Sequence, residues 1–73
     1  MSNQIVEIIG NTKLKYNSKN EIQIETNNDK VINYLKMNLW MHIENTNIYY
    51  MIDNGNCDNI YKCVKGVVSK FEI

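Results

Sequence analysis

The stretch from Cys57 to Glu72 most constrains what this chain can fold into. At about 100° per residue, Cys57, Ile60, Tyr61, Val64, Val67, Val68 and Phe71 fall on one side of a helix. Asp58, Asn59, Lys62, Lys65, Gly66, Ser69, Lys70 and Glu72 fall on the other. Such a helix gains its stability by laying the apolar stripe on a second layer, so the rest of the chain must supply that layer. Asn56 is placed to cap it, with Asp58 in the first turn, after a turn at Asp53-Asn54-Gly55-Asn56. Gly66 costs about 1 kcal/mol relative to Ala but lies on the solvent side.

Strands supply the second layer. Gln4 to Ile9 is dense in β-branched residues and stops at Gly10-Asn11, a dipeptide suited to a tight turn. A two-residue loop there sets Ile9 opposite Thr12 and Ile5 opposite Tyr16, with Ile5, Ile9, Leu14 and Tyr16 on one face and Lys13 and Lys15 on the other. After a polar loop, Asn17-Ser18-Lys19-Asn20, the alternating Glu21-Ile22-Gln23-Ile24-Glu25 reads as a half-buried strand.

Asn27 or Asn28 caps a first helix with Asp29 in its opening turn and Val31, Ile32, Leu35 and Leu39 as its core stripe. That helix ends near Leu39, since continuing it would rotate Trp40 onto the polar side. From there to Ile52 the pattern fits a second hairpin turning near Asn45-Thr46. Ile43 then opposes Ile48, Met41 opposes Tyr50 and Leu39 opposes Ile52 on a purely apolar face. The other face sets Trp40 beside Met51 and His42 beside Tyr49. The expected architecture is one small α+β domain over residues 1–73: a mostly antiparallel five-stranded sheet with two helices, order βββαββα. The two hairpins form one sheet or two, and the helices take one side or both.

At 73 residues there is room for one core only. Eight Lys balance eight Asp and Glu, and there is no Arg, which argues against specific duplex readout. No Pro or Ala occurs against thirteen Asn and eleven Ile, the signature of AT-rich codons, as in a low-GC bacterium, its phages or another AT-rich virus or parasite. No apolar run approaches the roughly 20 residues that cross a bilayer, and no signal-peptide pattern precedes the first strand, so no membrane partner and a cytoplasmic location are expected.

Catalytic and metal chemistry lack candidates, and no cofactor is implied. Cys57 and Cys63 with the sole histidine, His42, fall short of a zinc site and read as free thiols. Six helical residues would hold the two cysteines about 9 Å apart, too far for a disulfide. The glycines Gly10, Gly55 and Gly66 are isolated, so no phosphate loop forms. Two surfaces are left. Lys62, Lys65 and Lys70 on the outer side of the last helix offer electrostatic contact with phosphates or an acidic protein, or are merely solvated. The hairpin face of Trp40, His42, Tyr49 and Met51 is either covered by a helix or open as an aromatic contact surface. The resulting expectation is a small non-enzymatic protein-binding module, of the phage- or virus-type inhibitor or regulator kind, occluding a surface of a larger host protein. The alternatives are a weak single-strand nucleic-acid binder, stacking bases on Trp40, Tyr49 and Tyr16, and a homodimeric structural subunit.

Overall fold

The computed structural model describes residues 4–17, 20–53 and 55–73. The elements follow the expected order: β1 (Gln4–Ile9), β2 (Thr12–Asn17), β3 (Glu21–Glu25), α1 (Asp29–Met37), β4 (Met41–His42), β5 (Ile48–Ile52) and α2 (Cys57–Phe71). All five strands form one antiparallel sheet in the order β1-β2-β3-β5-β4. After β3 the chain crosses through α1 to the far edge, runs as β4 and returns as β5 beside β3.

Pairing of β1 with β2 has the expected register, Ile9 opposite Thr12 and Ile5 opposite Tyr16. Gly10 turns the corner at φ 59°, the left-handed region in which the first central residue of a type II′ turn sits. A Cβ there would also lie 2.6 Å from Oε1 of Glu72, so glycine is required for space as well as for conformation. Ser18, Lys19 and Asn54, which belong to expected loops, lie outside the described residues.

Asn28 caps α1, its side-chain oxygen accepting from the N–H groups of Lys30 at 2.9 Å and Val31 at 3.4 Å. At the other end Leu39 departs from expectation. Instead of closing the core stripe, it lies beyond the helix at φ 63°, 85% exposed. Its N–H donates to Lys36 and that of Trp40 donates to Leu35, the paired bonds of a Schellman corner with a leucine where glycine is usual. This geometry also removes Leu39 from β4, so the expected Leu39–Ile52 pair does not form, although Met41 opposes Tyr50 and His42 opposes Tyr49 as expected.

The Schellman corner determines which side of the second hairpin faces the helices. Trp40 turns inward beside Leu35, and strand alternation carries Tyr49 and Met51 to the same side. Both helices pack on this one face, where Leu14, Ile22, Ile24, Val31, Leu35, Trp40, Tyr49, Tyr61, Val64 and Val68 form the core. The other apolar side, Met41, Ile43, Ile48, Tyr50 and Ile52, lies on the opposite face of the sheet.

The C-terminal end of α2 is tied down by polar contacts. Glu72 Oε1 accepts the Asn11 N–H at 2.9 Å, while Oε2 accepts Asn28 Nδ2 at 2.8 Å and the Thr12 hydroxyl at 3.2 Å. Thr12 and Thr26 are buried with their hydroxyls 2.8 Å apart. Since Thr12 gives its only hydroxyl proton to Glu72, Thr26 is the donor of that pair. At the start of α2, Asn56 occupies the cap position, but its side-chain oxygen accepts from Asn59 Nδ2 at 2.7 Å rather than from a helix backbone N–H. Asp53 Oδ1 accepts from the N–H groups of Gly55 at 2.9 Å and Asn56 at 3.1 Å.

Candidate functional site: the bare face of the sheet

The structure separates the four hairpin residues singled out in the sequence. Trp40 and Tyr49 are 7% and 6% exposed and belong to the core, so the covered alternative holds for them. Truncating a buried aromatic costs about 3–5 kcal/mol. A chain this size commands roughly 4–11 kcal/mol in total. Losing both rings would therefore unfold the protein rather than strip it of a contact surface. Met51 packs at the core margin. His42 is exposed, stacked on Tyr49 with ring centroids 4.7 Å apart, and its Nε2 lies 2.6 Å from the Thr46 carbonyl, to which it donates.

Trp40 and Met51 do reach the surface, at the floor of a groove of about 350 Å³ between α1, α2 and β5. Tyr34, Ile60, Asn38 and the exposed Cys63 are among its walls, and no charged residue lines it. Cys57 is buried, its thiol donating to the Asn20 carbonyl at 3.0 Å, and burial raises its pKa. Among the described residues no group of three or more His, Cys, Asp or Glu is arranged to hold a metal ion, and no helix is long and apolar enough to cross a membrane.

The lysine surface of α2 is not uniform. Lys62 and Lys70 are exposed, but Lys65 leans onto the sheet edge and pairs with Glu7 Oε2 at 2.7 Å. Tyr61 donates to the other oxygen of Glu7 at 2.6 Å. These bonds, that of Lys65 first, hold the Glu7 carboxyl below the usual range. Tyr16, stacked on Tyr61 with centroids 5.1 Å apart, donates to Asp58, and that bond pushes its phenol up to about 12.

The surface that sequence reasoning missed is the face of the sheet opposite the helices. Its side chains form three rows across the strands: Gln4, Asn17, Glu21 and Ile52; Val6, Lys15, Gln23, Tyr50 and Met41; and Ile8, Lys13, Glu25, Ile48 and Ile43. Read strand by strand, it is apolar along β1, basic along β2, acidic along β3 and apolar again along β5 and β4. Met41 is 58% exposed and Ile52 59%, with Val6, Ile8 and Ile43 also open to solvent. The signal is present in the sequence as the purely apolar side of the second hairpin, although it was the aromatic side that offered itself there as a contact surface. No protein-family model, curated protein or solved structure matches this chain.

Proposed function

We propose that this chain is a small non-enzymatic protein-binding module whose contact surface is the bare face of the sheet. One observation carries the reading: both helices lie on the same side, leaving the aliphatic residues of β4 and β5 uncovered around Tyr50. Contiguous apolar surface of this kind is unusual on a small soluble domain unless a partner covers it. Action by occlusion needs no reactive group, only a shape and a pattern of charge. The AT-rich codon bias extends the proposal to a phage- or virus-type inhibitor or regulator meeting a larger host protein in the cytoplasm. Base stacking has less support, because Trp40 and Tyr49 are enclosed and Tyr16 is held against Tyr61 and Asp58.

The test is affinity capture with the tagged protein from an AT-rich host lysate, beside a Met41→Ser/Tyr50→Ser variant. Both positions are on the bare face, so the variant keeps its fold by circular dichroism. One dominant protein retained by the wild type and lost from the variant supports the reading. Equal capture by both, or material released only by nuclease, removes it.

A further inference from the structure

We infer that the bare face is built to pair with a second copy of itself, forming a face-to-face dimer about a two-fold axis that runs parallel to the strands between β2 and β3. This rests on the bare face being a contact surface and goes further by giving that face a second occupant, another copy of the chain, which a host protein on the same face would displace.

The argument is the order of the stripes. A two-fold axis in that position carries β3 of one copy over β2 of the other, and β5 over β1. In the third row, Lys13 then meets Glu25 of the second copy and Ile8 meets Ile48; in the second row, Val6 meets Tyr50. Each of these contacts occurs twice by symmetry, as an isologous interface requires: acidic on basic at Lys13–Glu25, and apolar on apolar at Ile8–Ile48 and Val6–Tyr50. Lys15 meets Gln23, and the first row sets Asn17 on Glu21 and Gln4 on Ile52. Turning the axis perpendicular to the strands, through the middle row, would put β3 on β3 and set Glu21 against Glu25 of the second copy, so the charge pattern selects one orientation. A formal net charge of zero leaves no overall repulsion to overcome.

Size sets the strength. Four strands overlap across the axis, β4 having no counterpart; at about 4.8 Å apart and about five residues long they give a footprint of roughly 300 Å² per copy. A standard stable interface covers about 800 Å² per partner, so the dimer is weak and concentration-dependent. Its lysine–glutamate contacts also give up hydration, which limits affinity further.

Sedimentation equilibrium over a concentration series tests it, using wild type, Lys13→Glu and Glu25→Lys. The wild type shifts from monomer to dimer. Each single variant sets like charges across the interface and weakens the dimer at least tenfold. Mixed in equal amounts, the two variants re-form it, because the carboxylate introduced at position 13 of one then meets the ammonium introduced at position 25 of the other. Each variant also disturbs its own β2–β3 pair, but only an interface between copies explains recovery on mixing. A dilution series of wild-type amide spectra needs no substitution, and its shifts fall on β1, β2, β3 and β5, the four strands that overlap across the axis. A monomer at every concentration overturns the dimer, as does a mixture that stays monomeric. A monomer that still captures a host protein through Met41 and Tyr50 overturns the dimer alone and leaves the binding-module reading in place.

Discussion

Replacing Leu39 with glycine should make the protein more stable, although it deletes a large apolar side chain. Leu39 holds φ at 63°, a conformation that costs an L-residue about 1–2 kcal/mol. Its side chain is 85% exposed, so truncation forfeits at most about 0.4 kcal/mol of burial. Glycine has more backbone freedom to lose on folding, which offsets the gain by roughly 0.5 kcal/mol. The balance is a stabilisation of about 0.1–1.1 kcal/mol, or roughly 0.5–9 °C in Tm for a domain of this size. Thermal and urea unfolding followed by circular dichroism measure it, with Leu39→Ala as the control that removes the side chain and keeps the strain. Leu39→Gly must exceed Leu39→Ala in stability. If the two are equal, or if glycine is worse than leucine, the corner is not strained and the reasoning fails.

Two further outcomes follow from the polar ties. Bonds from the Asn11 N–H, then Asn28 and Thr12, hold the Glu72 carboxyl below the usual range; its contribution to stability is therefore present above the unfolded carboxylate pKa and is lost as pH falls through the folded one. Glu72→Gln offers one acceptor oxygen where two are used, so it should lower Tm at neutral pH and flatten the acid limb of a stability–pH curve; an unchanged limb would contradict the assignment. At the alkaline end, Tyr16 titrates near 12, above an ordinary phenol at about 10, so its contribution is complete below the unfolded value and fades as pH rises through the folded one. Phenolate absorbance should show this delayed group in the wild type and its loss in Asp58→Asn; a normal titration in the wild type would refute the Tyr16–Asp58 bond.

Most of the architecture was legible because local rules and tertiary packing agree. The turn at Gly10-Asn11 specifies the β1–β2 register by itself, the alternation of Ile22 and Ile24 marks β3, and the stripe from Cys57 to Phe71 gives α2 nearly residue by residue. The second hairpin was legible in register but not in facing. Two apolar sides competed for one core, and alternation cannot say which wins. The decision was made at residues 38–40, where a Schellman corner without glycine turned Trp40 inward, a feature with no residue-level marker. Glu72 was hidden for a different reason: its partners Asn11, Thr12 and Asn28 are distant in sequence, and only the closed fold brings them together.

The corner at Leu39 also sets the phase of everything after it. Because side chains in a strand alternate, one residue added between Leu35 and Trp40 would send the aliphatic row toward the helices and the aromatic row toward solvent, exchanging interior and exterior without altering a single hydrophobic residue. The four residues between Ile43 and Ile48 carry no such burden, since they lie beyond the last inward-facing position of β4. Natural variation in length should therefore gather at that tip and be absent from the corner, which fixes which half of the hairpin is core and which half is left for a partner to touch.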